Sequence, residues 1–455
     1  MPESPPNLAS GATGAVPAAA DSGHAAGSGL PVVLRALKHR NFQLFFSGQL
    51  ISLVGTWMQT VAQSWLVYRI TGSSLLLGAV GFASQFPVFL LAPLGGIVAD
   101  RNSKHRIIIA TQTASMLLAF VLAALTLSGR IQVWHVIVLA SLLGTVNAFD
   151  IPARQAFLVE MVGKEDLLNA IGLNSSMFNA ARVVGPAVAG ILVSTIGEGW
   201  CFFANAFSYL AVIAGLLLMK LEKRQAPQRA ASALEDIFEG FRYARSTMPI
   251  LALLLMLGLV SLVGVPYAVL MPIFADKILH GGARGLGILM SAAGLGALMG
   301  ALTLAMRKGV KGLGRLVAAA ASGFGVSLIL FSFSRSFWLS VLLLVPAGYS
   351  VMLQTACSNT LIQTLVPDNL RGRMMGLYSM MFMGMAPLGA LGAGVAADVL
   401  GAPKTVAFGG VVCLLGAAVF ARFLPQFRTE ARQIIVAQGM VTGDPAESMP
   451  VRGVH

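Results

Sequence analysis

Two charged residues, Asp150 and Arg154, lie inside a long apolar stretch of the sequence. Residues four apart share one face of a helix, so these two can form an ion pair. If the helix ends near Gly163, Asp150 lies about 20 Å from that end at about 1.5 Å per residue. Burial raises the pKa of a carboxyl group and a nearby arginine lowers it, so the pair can bind and release a proton near neutral pH. A purely structural ion pair, or a shorter helix with both charges at its edge, is the alternative.

A second arginine, Arg182, lies in the next apolar stretch and is also expected to lie deep. Charged residues inside apolar membrane helices are rare and commonly mark ion pathways. We therefore predict that Asp150, Arg154 and Arg182 carry a proton-coupling function, with one or both arginines beside the carboxylate.

A stripe of polar residues recurs at spacings of three and four along residues 42–68. Its members are Gln49, Ser52, Thr56, Gln59 and Gln63. This spacing places them on one side of a helix, and in lipid such a side must contact protein or a water-filled cavity. We expect these side chains to line a cavity, with hydrogen-bonded packing between helices as the alternative.

Sequence motifs for other chemistries are absent. The chain has no phosphate-binding Gly-rich loop followed by Lys-Ser/Thr, and no His-Glu-x-x-His or Gly-x-Ser-x-Gly motif. Its six histidines are scattered, which is unfavourable for a metal site. We therefore expect a protein that is not an enzyme and has no catalytic residues, metal or cofactor.

Apolar residues dominate the whole chain. Of its 455 residues, 56% are hydrophobic and 11% are charged, whereas soluble domains carry about 25% charged residues. The mean hydropathy is +0.79. A membrane-spanning helix needs about 20 apolar residues, and the chain has room for about twelve such spans. The sequence therefore predicts an all-α membrane protein.

The basic residues indicate the orientation of the chain. A net charge of +13 could suggest nucleic acid, but most Lys and Arg fall in loops and tails on one side of the predicted spans. Cytoplasmic loops of membrane proteins are enriched in these residues. We therefore expect both termini in the cytoplasm, contact with membrane lipid, and no nucleic-acid partner.

A short charged loop separates the second predicted span from the third. Its pattern is Gly-x-x-x-Asp-Arg-x-x-Lys followed by another basic residue. The residues are Gly96, Asp100, Arg101, Lys104 and Arg106. The loop resembles the one between the second and third spans of the major facilitator superfamily of secondary transporters, although Ser103 replaces the glycine of that family. The resemblance implies that Asp100 closes the cytoplasmic side by capping the helix that begins near Arg373.

Two further stretches resemble members of the same superfamily. The motif formed by Gly185, Pro186, Ala189 and Gly190 resembles the fifth-span signature of its exporters, with Ala189 where that signature prefers glycine. Close packing of helices through small residues is the alternative interpretation. Segments 41–59 and 367–373 resemble the efflux branch typified by the bacterial enterobactin exporter, and the resemblance covers about residues 34–425.

The resemblance implies the major facilitator fold, with about twelve transmembrane helices in two related six-helix halves. The expected organisation is a disordered cytoplasmic tail (1–33), an N-terminal half (34–220), a cytoplasmic linker with an amphipathic helix (221–248), a C-terminal half (249–424) and a polar cytoplasmic tail (425–455).

The resemblance also implies a function. In this superfamily spans 1, 4, 7 and 10 line the cavity, which adds Tyr267, Ser350, Gln354 and Ser358 as candidate lining residues. The implied activity is secondary active export of a small organic solute (a siderophore, drug or related metabolite) across the bacterial cytoplasmic membrane, by proton antiport and alternating access. The alternatives are an importer or lipid flippase on the same fold, or a non-transporting membrane scaffold. We expect the protein to act as a monomer.

Overall fold

The structure is a computed structural model that describes residues 32–163, 165–220, 233–307 and 309–437. Every regular element in these residues is helical. The predicted disordered tail, apart from its last two residues, lies outside the described residues, as do the first part of the predicted linker and the end of the C-terminal tail.

Six long helices form the N-terminal half. Each has at least 20 residues, which is enough to cross the hydrocarbon core of a bilayer. Their bounds are span 1, Arg40–Thr71; span 2, Ser74–Arg101; span 3, Lys104–Leu127; span 4, Val133–Val162; span 5, Leu167–Ile196; and span 6, Glu198–Leu217.

Six further helices form the C-terminal half. Their bounds are span 7, Met248–Ile278; span 8, Gly282–Ala305; span 9, Leu313–Phe333; span 10, Phe337–Leu365; span 11, Leu370–Leu400; and span 12, Ala402–Arg422. Together with spans 2 to 6 they make eleven helices that are long and apolar enough to cross a membrane. Span 1 is 32 residues long but less apolar, because its polar stripe interrupts the apolar residues. The predicted all-α fold of about twelve spans is confirmed.

Two spans of the C-terminal half depart from regular α-helix. Span 7 widens into a π-helix at Val260–Gly264 and then tightens into a 3-10 helix at Val265–Leu270. Span 11 contains a π-helix at Met380–Gly384. Ser261 Oγ donates a hydrogen bond to the Phe382 carbonyl oxygen at 2.5 Å. The two irregular segments therefore contact each other, and π-helical turns are frequent where helices serve a function.

Both described ends of the chain lie at the same end of the bundle, because the number of spans is even. We call this end the terminal face and the other the opposite face. The terminal face also carries a 3-10 helix at Val32–Lys38, a linker helix at Ala233–Ser246 and a C-terminal helix at Leu424–Ala437. The C-terminal helix is anchored by Phe427, whose ring lies 5.5 Å from that of Phe420 in span 12.

The two halves meet closely at the opposite face. A Cβ atom added to Gly78 of span 2 would lie 2.6 Å from the Ala390 carbonyl oxygen of span 11. A Cβ atom on Gly287 of span 8 would lie 2.5 Å from the Pro186 carbonyl oxygen of span 5. Backbones approach this closely only where side chains are absent, so the bundle is closed on this side.

The side of span 5 that packs on span 8 at Pro186 becomes exposed towards the terminal face. Leu168 and Ser175 precede Pro186 by about five and three helical turns, so all three share one side of the helix. Pro186 is buried against span 8, whereas Ser175 is exposed and Leu168 is 84% exposed. The halves therefore separate towards the terminal face and leave a cleft open at that end.

Candidate functional site

Asp150 is almost fully buried in the N-terminal half, with 1% of its surface exposed. Thr111 Oγ1 donates a hydrogen bond to Asp150 Oδ1 at 2.7 Å, and Gln112 Nε2 donates another at 3.0 Å. Arg154, one turn further along span 4, forms an ion pair with the other carboxylate oxygen. Donors from spans 3 and 4 thus surround the carboxylate, which offsets the cost of burying its charge.

Arg154 connects this buried carboxylate to a more open environment. Its side chain is 22% exposed, against 2% for that of Asp150. Arg154 Nε and Gln112 Oε1 are buried and have no hydrogen-bond partner in the part of the chain that is described. Unpaired buried polar atoms are destabilising, and the hydrogen bonding of this cluster is incomplete among the described residues.

Arg182 is placed against different partners. Its guanidinium carbon lies 5.7 Å from the ring centroid of Trp57 in span 1, which is cation–π geometry. Tyr267 of span 7 lies within electrostatic range of it. Arg154 therefore lies beside Asp150, as predicted for at least one of the two arginines. Arg182 is instead directed by span 5 towards span 1 and the C-terminal half.

The polar stripe of span 1 divides between two sides of the helix. Ser52 and Gln59 are 1% and 6% exposed. Gln59 Oε1 accepts a hydrogen bond from Asn205 Nδ2 of span 6 at 2.7 Å. Seven residues make about two turns, so both side chains turn to the packed side of the helix in this state, and their role as cavity lining stays a prediction.

Two of the other three residues of the stripe are more open. Thr56 and Gln63 are half-buried, and Thr60, between them on the same side, is exposed. Gln49 is only 2% exposed, and its Oε1 atom is buried without a hydrogen-bond partner among the described residues. Of the five predicted positions, Thr56 and Gln63 are thus the ones that reach an open surface.

The polar stripe of span 10 is buried inside the C-terminal half. Ser350, Gln354 and Ser358 are 6%, 0% and 0% exposed. Gln354 Nε2 donates a hydrogen bond to Ser358 Oγ at 3.5 Å, and a Cβ atom on Gly323 of span 9 would meet Ser350 Oγ at 2.9 Å. In this state their side of span 10 packs within its own half, and the cavity lining by these three residues stays a prediction.

Gln363 of span 10 and Tyr267 of span 7 differ in their exposure. Gln363 is exposed, and its Nε2 atom donates a hydrogen bond to the Asn359 side-chain oxygen at 2.5 Å. Tyr267 is 7% exposed and packs edge-on against Phe324, with the ring centroids 6.0 Å apart. Tyr267 is thus packed inside the C-terminal half, within electrostatic range of Arg182.

The charged loop after span 2 lies at the terminal face. Asp100 is exposed and has no hydrogen-bond or ion-pair partner in the described ranges. Arg373 Nη1 instead pairs with Glu239 Oε2 of the linker helix at 2.6 Å. The predicted cap of Asp100 on the start of span 11 is not formed, because the halves are apart at this face.

The remaining loop residues also belong to the N-terminal half. Lys104 Nζ forms an ion pair with Glu160 Oε1 of span 4 at 2.8 Å. Arg101 and Arg106 are exposed, and the space beside Gly96 is open. The loop is therefore anchored to span 4 through Lys104, and its other charges are free to face water or lipid headgroups.

Gly185, Pro186 and Gly190 form a close-packing surface on span 5. A Cβ atom on Gly185 would lie 2.9 Å from the Val54 carbonyl oxygen of span 1, and one on Gly190 would lie 3.0 Å from Gly287 Cα of span 8. The motif thus joins span 5 to span 1 in its own half and to span 8 in the other half.

An ion-pair cluster holds the N-terminal 3-10 helix on the start of span 5. Lys38 Nζ and His39 Nε2 each lie 2.8 Å from Asp166 Oδ2. The hydrogen bond from Lys38, and then that from His39, hold the pKa of Asp166 below its usual range. The Ala36 amide donates a further hydrogen bond to Asn169 Oδ1 at 2.8 Å.

A comparison with protein families supports the helical membrane fold described above. Residues 33–441 match the family described as transmembrane secretion effector. The chain belongs to this family of major facilitator transporters. It is therefore a multi-pass membrane transporter and not an enzyme.

Three relatives of this transporter have names that state a function. The staphyloferrin A transporter of Staphylococcus aureus is 26% identical over 379 residues, which cover 83% of this chain and 94% of that protein. The multidrug efflux pump Tap of Mycolicibacterium fortuitum is 28% identical and covers 82% and 93%. The enterobactin exporter EntS of Shigella boydii is 25% identical and covers 78% and 86%. The predicted resemblance to siderophore and efflux transporters is confirmed.

Solved structures show the same fold. A bacterial homologue of the human lysosomal transporter Spinster, in an inward-facing and unoccupied conformation, superimposes with a TM-score of 0.60. It is 15% identical, and the match covers 90% of this chain and 99% of that one.

Two features of the transporter were missed by sequence reasoning. Thr111 and Gln112, which donate hydrogen bonds to Asp150, belong to a short polar run (residues 111–115) within span 3. That polar run was the available signal in the sequence. The ion-pair cluster at Asp166 was signalled only by an acidic residue directly before span 5.

Proposed function

We propose that this transporter exports a small organic solute from the bacterial cytoplasm by proton antiport, acting as a monomer. The names of its relatives, which refer to two siderophores and to multidrug efflux, support a siderophore, drug or related metabolite as the solute. The solute is larger and more mixed in polarity than a sugar or an inorganic ion.

The charge distribution supports an orientation with the terminal face in the cytoplasm. The loop after span 2 carries Arg101, Lys104 and Arg106 on that face, and cytoplasmic loops are enriched in basic residues. With this orientation the closed opposite face is external and the open cleft faces inward. The structure then corresponds to the state that takes up solute from the cytoplasm.

The observation that carries the proposal is the pairing of a buried carboxylate with a partly exposed arginine. Asp150 is sealed between spans 3 and 4, whereas the Arg154 side chain is 22% exposed. When Asp150 binds a proton, its attraction for Arg154 is lost and the arginine can turn towards the cleft. When the proton leaves, the ion pair forms again. A helix movement that changes the exposure of this pair therefore links proton binding to the two orientations of the transporter.

The surroundings of Arg182 favour the binding of an anionic or aromatic solute. It lies between span 1 and the C-terminal half, beside Trp57 and Tyr267. A guanidinium group binds carboxylates and other anionic oxygens through charge-assisted hydrogen bonds, and the indole ring can stack on an aromatic solute. In this proposal Arg182 binds the solute, and Asp150 with Arg154 binds the proton.

The proposal is tested with everted membrane vesicles, in which the cytoplasmic side faces outward. An inward-acidic pH gradient should drive accumulation of a siderophore or dye from a panel, and collapse of the gradient should release it. Vesicles with the double variant Asp150→Asn and Arg154→Gln, which leaves neither partner of the ion pair unpaired, provide the matched background. Accumulation that needs no gradient, or accumulation only in right-side-out vesicles, would contradict export by antiport.

A further inference from the structure

We infer that the terminal face carries a binding site for the phosphate headgroup of an anionic membrane lipid. A cavity of about 230 Å³ lies where the start of span 1 meets the ends of spans 4 and 6. Its lining combines basic, polar and apolar residues. They are His39, Arg40, Asn41, Met161, Leu218 and Lys220.

The cavity carries two cations that have no carboxylate partner among the described residues. Arg40 and Lys220 are exposed, and within the described ranges neither side chain has a carboxylate partner. His39 differs, because its ring already contacts Asp166, which also pairs with Lys38. The free positive charge at the cavity therefore comes from Arg40 and Lys220.

Asn41 joins the two backbone segments that carry Arg40 and Lys220. Its Nδ2 atom donates a hydrogen bond to the Lys220 carbonyl oxygen at 2.8 Å, and the Lys220 amide donates one to Asn41 Oδ1 at 3.3 Å. This double contact holds Lys220, the third residue beyond the end of span 6, against the first turn of span 1. A phosphate in the cavity would accept hydrogen bonds from a guanidinium fork on one side and an ammonium on the other.

The level of the cavity matches the headgroup region of a bilayer. Arg40 is the first residue of span 1, and span 6 ends at Leu217. Leu217 and Leu218 are 66% and 61% exposed, so apolar side chains meet the lipid directly beside the basic groups. Basic pockets between transmembrane helices at this level suit anionic lipid headgroups.

The cavity does not suit the transported solute. Its volume is below the range of about 300–1,000 Å³ typical of pockets for drug-sized ligands. Its lining residues all belong to the N-terminal half, so opening and closing of the cleft between the halves need not alter it. A lipid bound here would instead join the first and last spans of the N-terminal half in every transport state.

The test uses the full-length transporter purified in a neutral detergent. Native mass spectrometry measures the bound fraction with phosphatidylglycerol and with phosphatidylcholine, and the melting midpoint is followed in parallel. The double variant Arg40→Gln with Lys220→Gln should weaken phosphatidylglycerol binding about 25-fold, because each basic residue at an anionic membrane surface contributes a factor of about five. The charge-retaining variant Arg40→Lys with Lys220→Arg should keep most of the binding and shows that the fold is intact.

The matched control removes two other exposed basic residues of the terminal face, Arg315 and Arg422, as Arg315→Gln with Arg422→Gln. This control should bind phosphatidylglycerol like the unaltered protein. Equal loss in both double variants would mean general attraction to charge and would overturn the site. Equal binding of phosphatidylcholine would overturn it as well. If inorganic phosphate alone reproduces the rise in melting midpoint, the site takes free phosphate and the assignment to lipid is wrong.

Discussion

Tyr68 Oη donates a hydrogen bond to Asp276 Oδ2 at 2.7 Å, and this bond crosses from one half of the transporter to the other. It joins the end of span 1 to the end of span 7 at the opposite face. The Lys277 ammonium lies 5.9 Å from the Tyr68 ring centroid on the same side. The contact therefore stabilises the state in which this face is closed.

Tyr68→Phe removes the bond and should shift the protein towards the state open at the opposite face. A hydrogen bond to a charged group contributes about 1.5–3 kcal/mol, so the ratio of the two states should change by roughly 10- to 100-fold. Spin labels at Arg130 and Arg335, which are exposed in loops of the two halves at this face, report the change as a longer distance.

The control is Tyr349→Phe, since the Tyr349 hydroxyl has no hydrogen bond within the described residues. This variant should leave the label distances unaltered. If Tyr68→Phe also leaves them unaltered, the bond does not hold the face closed.

Gly190 tests the closure between spans 5 and 8. A Cβ atom there would lie 3.0 Å from Gly287 Cα and 3.1 Å from the Arg284 carbonyl oxygen, so Gly190→Leu must force the two backbones apart. We expect this variant to fold but to lose transport, with the label distance at the opposite face increased. Gly172→Leu on the same helix is the matched control, because the space beside Gly172 is open. Equal activity of the two variants would show that this contact is dispensable.

Sequence reasoning identified the spans because their length and apolar character are set by the bilayer and not by particular neighbours. It could not assign the neighbour of each polar residue. Periodicity placed Ser52 and Gln59 on one side of span 1, but only the position of Asn205 in span 6 shows that this side is packed. The same limit applies to Gln354, which is fully buried within its own half.

The expected contact of Asp100 with the start of span 11 shows a different limit. Transporters of this kind alternate between two arrangements of their halves, and one structure records one of them. Here the halves are apart at the terminal face, and Arg373 pairs with Glu239. The predicted role of Asp100 concerns the other arrangement and stays a prediction.

Asp166→Asn should release the N-terminal 3-10 helix and lower the melting midpoint. Lys38 and His39 depress the pKa of Asp166 below the usual 3.8. A depressed pKa means that the stabilisation is present above that value and is lost as the pH falls through the pKa of the folded state. The difference in melting midpoint between the two proteins should therefore not diminish from about pH 7 to about pH 5.

Glu165→Gln is the matched control for this experiment, because Glu165 is the exposed acidic neighbour of Asp166. It should leave the melting midpoint almost unaltered. If the difference in melting midpoint between the unaltered protein and Asp166→Asn disappears between neutral and mildly acidic pH, another group is responsible for the stabilisation.

Arg182→Gln distinguishes solute binding from proton coupling. If Arg182 binds the solute, the KM for anionic solutes should rise about 10- to 100-fold, as expected for a lost hydrogen bond to a charged group, while neutral solutes are still pumped with normal pH dependence. Arg182→Lys retains the charge and should be affected less. A variant that binds anionic solutes normally but no longer pumps them uphill would place Arg182 in the coupling step instead.

The variant Asp150→Asn imitates the protonated carboxyl but leaves Arg154 without its partner. Breaking a buried ion pair in this way costs about 3–5 kcal/mol, so loss of transport could reflect loss of folding. The double variant Asp150→Asn with Arg154→Gln removes that penalty. A structural role predicts that the double variant regains transport, whereas a coupling role predicts that it folds and still does not pump.

Proton coupling by Asp150 is tested most directly by uphill export with this folded double variant in everted vesicles, measured as a function of pH. If Asp150 couples transport to protons, we expect normal binding of the solute, downhill exchange of solute across the membrane, and no accumulation driven by the proton gradient. Accumulation to the level of the unaltered transporter, with the same pH dependence, would contradict the assignment of Asp150 as the proton-coupling carboxylate.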